Sequence, residues 1–304
     1  MIKRTIYFGN PAYLSLRNSQ LVVTIPPNEQ NEKETVRTMP IEDLGFVIIE
    51  NPQVTITHGA LSALVENNTA VVTCDSRHMP AGLLLPLDGN TIQSERYKFQ
   101  FEASLPLKKQ IWQQTMQAKI RNQAAVLNIR RNKSCGNMLA WADDVRSGDP
   151  DNFEARAAVY YWDNLFDGDC EDFRRDAEGN SPNNMLNYGY AILRAVVARA
   201  LVGSGLHPTM GVHHRNRYNA YCLADDVMEP YRPFVDMLVC EIIDEYGLAE
   251  ELTRDIKAKL LTIPTLDVTI DGSRSPLMVA VSQTTSSLAK CYSGELRKVL
   301  YPEL

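Results

Sequence analysis

The sequence predicts a multidomain α+β protein, with a small β-sandwich over residues 1–90 followed by a larger all-α helical domain over 91–304. Three observations predict it. The chain has 304 residues and 44% hydrophobic content, enough for more than one core. Its first ninety residues fall into short runs rich in Ile, Val, Tyr and Thr, cut by turn-forming dipeptides. From about Arg96 onward, apolar residues recur at helical spacing in long segments.

In the first domain, residues 3–8, 13–16 and 21–25 read as strands, broken by Asn10-Pro11 and by Arg17-Asn18-Ser19-Gln20. Residues 26–38 are polar and read as a loose hairpin tip. The runs 46–49 and 54–56 follow, with Asn51-Pro52 between them. Thr57 is placed to cap a short helix over 59–66, and 70–74 and 82–87 close the set. Short strands at this spacing predict a sandwich. His58 and His78 are isolated and read as surface or turn residues.

Asp88-Gly89-Asn90 is a turn signal. The segment 105–131 is helical, with Leu107, Ile111, Met116, Ile120, Ala124 and Leu127 along one side. Ser147-Gly148-Asp149-Pro150 breaks the pattern. Asp151 is the predicted N-cap of a helix running to 166, with Glu154 in capping-box position. Residues 167–180 are charged and read as an exposed loop. Residues 182–206 form the most apolar helix, striped by Leu186, Tyr190, Leu193, Val197 and Leu201. Asn183, Asn184, Asn187 and Tyr188 crowd its first turns, where side-chain amides cap a helix or meet phosphate. His207 sits in the following turn and reads as structural. Residues 234–246 and 249–261 are predicted bundle helices, 265–272 a strand pair, and 275–300 a closing helix.

The net charge of −6 and pI near 5.5 exclude a uniformly basic nucleic-acid binder. The distribution is uneven, however. Residues 96–133 hold nine Lys/Arg and one acid, Glu102. A helix of one sign commonly meets a polyanion, so DNA or RNA contact is expected along this segment. The six cysteines include no CxxC pair, against both a structural zinc and a disulfide framework. No apolar run reaches membrane-span length, and the N-terminus lacks a signal-peptide pattern, so no membrane association and a cytoplasmic location are expected.

Residues 211–233 carry the densest chemistry: His213 and His214, then Asp225, Asp226 and Glu229. Imidazole with carboxylates is a ligand set for a divalent cation, and an oxygen-rich set suits Mg²⁺ or Mn²⁺. Asp226 and Glu229, three apart, share a helical face. A solvated acidic helix end with stray histidines accounts for the same residues equally well, as a capping box does for Glu154.

Four ordered motifs add a resemblance that spans essentially the whole chain: FEARAAVYYW (153–162), NNMLNYGYAILRA (183–195), GLHPTMGVHH (205–214) and LADDVMEPYRP (223–233). The chain resembles the CRISPR-associated integrase of the adaptation module, and its HH-x-N-x-x-N form is most similar to type II members. The resemblance implies a metal centre of Glu154, His214 and Glu229, with Mg²⁺ or Mn²⁺. It places Asp226 at an assisting acidic position and favours His214 over His213, since the motif ends on the second histidine. Asn187-Tyr188 is implied to support the site or touch DNA. The implied activity is insertion of captured DNA fragments into the CRISPR array by attack of a 3′-hydroxyl. The implied partners are double-stranded DNA (the fragment and the repeat with its leader), a second copy of the chain, and the small dimeric second adaptation protein. The RNA-guided effector nuclease is a further candidate. Dimer and partner contacts are implied for the N-terminal domain.

Two other functions compete with this one, the first of them on the same residues. A stand-alone metal-dependent nuclease on branched or single-stranded DNA would use water as nucleophile. A catalytically silent DNA-binding scaffold would have no need of a Glu/His/Glu set.

Overall fold

Two four-stranded sheets and one helix build the first of two units, Met1–Gly89; the second is Asn90–Leu304. The computed structural model describes residues 3–27, 33–170 and 172–304. The elements of the first unit are β1 (Arg4–Phe8), β2 (Tyr13–Arg17), β3 (Gln20–Ile25), β4 (Thr35–Pro40), β5 (Leu44–Ile49), β6 (Thr55–Ile56), α1 (His58–Glu66), β7 (Ala70–Cys74) and β8 (Pro80–Leu84). One sheet has the order β1-β5-β7-β8, the other β4-β3-β2-β6. Between β2 and β3, Asn18 and Ser19 both take positive φ (50° and 58°), which suits a two-residue hairpin.

The expected all-β sandwich is corrected in its topology. β1 pairs parallel with β5, and β5 with β7. Parallel neighbours require crossovers, and α1 fills one of them. Its Ala60 and Leu64 join Leu14, Leu21, Leu44 and Val47 in one core. The continuous apolar run of β5 is that of a central strand covered on both faces. Thr57 caps α1 as expected, its hydroxyl accepting from Ala60 N. Of the predicted hairpin tip at 26–38, residues 28–32 lie outside the described residues, and 35–40 form β4.

The second unit comprises α2 (Gln93–Glu102), α3 (Leu105–Arg131), α4 (Gly136–Asp144), α5 (Phe153–Leu165), α6 (Asn183–Gly203) and α7 (Cys222–Met228). A 3₁₀ turn (Glu229–Tyr231) follows, then α8 (Arg232–Tyr246), α9 (Arg254–Leu260), β9 (Asp267–Ile270), β10 (Ser273–Pro276), α10 (Leu277–Tyr292) and β11 (Pro302–Glu303). Ser104 caps α3 with Pro106 in its first turn, and left-handed Asn132 (φ 48°) ends it. α3 packs on α4, α5 and α8; α6 packs on α7, α8, α9 and α10. α6 is long and apolar enough to cross a membrane, but 78% of that window is buried within the protein, where it serves as the core helix.

Three expectations for this unit change. It is not all-α, since β10-β9-β11 form a small sheet. The closing helix stops at Tyr292, because Gly294 takes a left-handed φ of 82°. The chain then runs back along α3. There the Asn122 amide donates to the Pro230 and Pro302 carbonyls (2.8 and 2.9 Å), and its oxygen accepts from Leu304 N (3.3 Å). α4 is an additional helix where no element was expected.

Candidate metal centre

The first turn of α5 is set by Asp149, whose carboxylate accepts from Phe153 N and Glu154 N (3.0 and 2.9 Å). The predicted N-cap, Asp151, instead pairs with Arg146. Asn152 supplies the left-handed entry (φ 55°). With its capping role taken by Asp149, the Glu154 side chain turns to α3. Lys119 donates to Glu154 Oε1 at 2.9 Å and stands 2.7 Å from Glu229 Oε2. Two carboxylates 75 residues apart in sequence therefore meet at one ammonium.

Glu229 opens the 3₁₀ turn between α7 and α8 and is 4% exposed. Its Oε1 pairs with Arg232, the next turn along, at 3.1 Å. Burial alone would raise the Glu229 carboxyl, but Arg232 and Lys119 hold it below the ordinary carboxylate value. The reverse balance acts on Lys119: burial would lower its ammonium, and Glu229 and Glu154 raise it instead. Both groups are thus kept charged.

His214 arrives on the loop between α6 and α7. Asp226, 2% exposed, organises that loop from α7, accepting from the backbone N–H of Val212, His213 and His214 (2.6, 2.9 and 3.3 Å). Its Oδ1 also meets His214 Nδ1 at 2.5 Å. That bond raises the imidazole above its ordinary value, against the opposing effect of burial, with help from the charges of Glu229 and Glu154. Gly211 is required by close approach. A Cβ there would lie 2.4 Å from the His214 carbonyl oxygen and 2.9 Å from Asp226 Oδ2. His213 is turned elsewhere: its ring stacks on buried Trp112 at 4.1 Å and 6°.

As the side chains stand, no three His, Cys, Asp or Glu groups among the described residues converge on one point closely enough to grip an ion. Glu154 and Glu229 are brought together; His214 sits beside them, within range of both charges but bound to Asp226. The donor chemistry nevertheless fits a divalent ion. Lys119 is a stand-in cation between the two carboxylates. Glu229 Oε2 is buried, and the Lys119 ammonium at 2.7 Å is the partner it has among the described residues. With Nδ1 directed to Asp226, His214 keeps Nε2 for a metal, the arrangement in which a carboxylate fixes tautomer and ring orientation.

The other nominated residues fall outside this group. Asp225 pairs with Arg194 and accepts from Asn219. The amides at the start of α6 hold loops: Asn183 and Asn187 accept from Arg175, and Asn184 donates to Ala249 and Glu250 carbonyls. Tyr188 is fully buried. His207 is structural as expected, packed edge-on against Tyr97. Four of the nine basic residues of segment 96–133 are paired with acids that the fold brings to them. Arg121 pairs with Asp143, Arg130 with Asp244 and Asp169, Arg131 with Asp169, and Lys119 with the two glutamates. Local sequence cannot show acids that folding brings to it. Another of the nine, Lys108, joins Arg215 and Arg217 in lining a hollow of about 550 Å³ beside His214.

Sequence reasoning missed Lys119, Arg232, Asp149 and Trp112. For Lys119 a signal existed: it is a charged residue on the apolar face that also holds Met116 and Ile120.

Residues 6–263 match the family model described as CRISPR associated protein Cas1. A CRISPR-associated endonuclease Cas1 from Neisseria meningitidis serogroup C (strain 8013) is 38% identical over 288 residues, covering 94% of this chain and 91% of that protein. A casposase bound to integration product has the same fold, with a TM-score of 0.80 at 20% identity, covering 98% of this chain and 92% of the other. The Cas1-containing chain of a Cas6-RT-Cas1–Cas2 complex matches with a TM-score of 0.74 at 19% identity, covering 97% of this chain and 35% of the other. By sequence along most of its length, the chain belongs to the Cas1 family of CRISPR-associated proteins.

Proposed function

We propose that this protein is a metal-dependent DNA integrase that joins captured DNA fragments to the CRISPR array. The observation that carries the reading is the meeting of Glu154 and Glu229 at one buried cation, next to a histidine oriented by Asp226. Glu154, His214 and Glu229 would hold Mg²⁺ or Mn²⁺. When bound, such an ion polarises the target phosphodiester and stabilises the charge that builds on its oxygens.

The chain's own residues supply the rest. Asp226 keeps the His214 ring in one tautomer, and Arg232 keeps Glu229 ionised. Lys108, Arg215 and Arg217 offer charge to backbone phosphates approaching His214, positioning DNA without reading its sequence. The 3′-hydroxyl of the fragment attacks phosphorus at the repeat boundary. A new P–O bond forms, the P–O3′ bond of the repeat strand breaks, the hydroxyl gives up its proton, and the departing 3′-oxygen takes one. No protein nucleophile is required.

Three names support the reading: the Neisseria relative is an endonuclease, the casposase was captured with integration product, and the third structure holds Cas2. The proposed partners are accordingly double-stranded DNA, a second copy of this chain and a Cas2-type bridging protein.

The test is an integration assay with supercoiled CRISPR-array plasmid, pre-processed fragments and the second adaptation protein. His214→Ala is expected to lose strand transfer by about 10²–10³ fold, while His213→Ala retains it. Cleavage without strand-transfer products, in the presence of a free 3′-hydroxyl, would establish the stand-alone nuclease instead.

A further inference from the structure

The integration chemistry gives the Lys119 ammonium no task, yet its placement is specific. It is 9% exposed and stands 2.9 Å from Glu154 Oε1 and 2.7 Å from Glu229 Oε2. Buried Glu229 and part-buried Glu154, brought to one point, repel, and the repulsion grows as the local dielectric falls. A single positive charge between them cancels it. Arg232 does not do this. Its guanidinium takes the other oxygen of Glu229, Oε1, and lies over the Tyr190 ring at 4.8 Å.

We propose that Lys119 is a resident counter-cation that competes with the divalent metal for Glu154 and Glu229. Metal binding is then an exchange of one cation for another and not a simple addition. The inference rests on the metal-centre reading above.

Three features support exchange. The ammonium and a dication would use the same two carboxylates. The Lys119 ammonium, 2.7 Å away, is the partner of Glu229 Oε2 among the described residues, so exchange replaces one contact on that oxygen by another. A lysine carries a compact charge on a flexible stem and can withdraw where a stacked, forked guanidinium cannot. The exchange keeps the carboxylates compensated in both states. With the ammonium in place, the pocket is protected from its own repulsion. With the dication in place, the ammonium is expelled from the pair but stays tethered to α3. The apparent metal affinity is lowered by the fraction of molecules in which Lys119 occupies the pair.

The test is a Mn²⁺ titration of the whole chain, with unbound Mn²⁺ read by electron paramagnetic resonance and thermal unfolding measured with and without the ion. Wild type is compared with Lys119→Met, Lys119→Arg and Glu154→Gln. Lys119→Met is expected to bind Mn²⁺ about tenfold more tightly than wild type, to melt lower without the ion, and to gain more from it. Lys119→Arg keeps the charge and gains no affinity. Glu154→Gln loses binding, which ties the signal to this pocket. Folding of Lys119→Met only when Mn²⁺ is present also supports the exchange. A Lys119→Met protein that binds no more tightly than wild type, or that stays unfolded at saturating Mn²⁺, overturns the exchange and leaves the metal centre standing. Equal binding by wild type and Glu154→Gln overturns the metal centre and the exchange together.

Discussion

His214 Nδ1 and Asp226 Oδ1 are 2.5 Å apart, and the same carboxylate accepts from three successive backbone N–H groups of the loop that carries the histidine. Asp226 therefore fixes both the ring and the backbone beneath it. Asp226→Asn is expected to lower Mn²⁺ affinity about 10–100 fold, the usual loss on removing a partner that orients a metal ligand. An amide cannot accept from all of these donors through both of its termini. Calorimetry or paramagnetic titration of the variant checks this.

The two adjacent histidines should separate cleanly. His213 stacks on Trp112 and His214 meets the same indole edge-on at 5.7 Å. His213→Ala is expected to cost about 0.5–1.5 kcal/mol in stability, the worth of an aromatic pair, and to leave metal binding intact. His214→Ala is expected to abolish binding with little change in the melting temperature.

Gly211→Ala tests the tightness of the loop. The added methyl would meet the His214 carbonyl, and the backbone must shift to admit it. Misplacement by about 1 Å costs on the order of 10²-fold in rate, so strand transfer should fall by about that factor while the protein stays folded by circular dichroism.

Much of this was legible in the sequence, for identifiable reasons. Apolar spacing revealed α3 and α6, because a long buried face imposes its period on the residues. The ordered motifs pointed to Glu154, His214 and Glu229, of which the fold brings the two glutamates to one ammonium. The roles of neighbouring polar residues were not legible. Asp149 and Asp151 are both plausible caps for α5, and only the left-handed turn at Asn152 decides between them. The pairing of Arg121, Arg130 and Arg131 within 96–133 was not legible, because Asp143, Asp169 and Asp244 lie outside that segment. The crossovers of the first unit were hidden because a buried parallel strand and a sandwich strand carry the same apolar run.

Another buried carboxylate gives a pH prediction. Asp236 accepts from Tyr161 (2.9 Å) and from Tyr190, whose ring lies beneath Arg232. Burial pushes its carboxyl up to about 7, against the pull of the two hydroxyls. The folded chain thus holds a proton that the unfolded chain, at 3.8, has released. The stability contributed is complete below the unfolded value and is lost as pH rises through about 7. Thermal melts from pH 4 to 8 should show this decline in wild type, and Asp236→Asn should flatten it.

Asn122 joins three segments by its single amide. Asn122→Ala strands two buried carbonyls, each worth about 1–3 kcal/mol when left unsatisfied. A loss of at least about 2 kcal/mol in denaturant unfolding is expected, together with weaker metal binding, since Pro230 follows Glu229 directly.

The return of residues 302–304 to α3 ties distant parts of the fold to one side chain. Pro302 and Leu304 reach Asn122 across 180 and 182 positions of chain. The same amide donates to the Pro230 carbonyl, beside Glu229, from the helix that bears Lys119. A disturbance of the closing strand is therefore transmitted to both members of the Lys119–Glu229 pair through a single shared anchor.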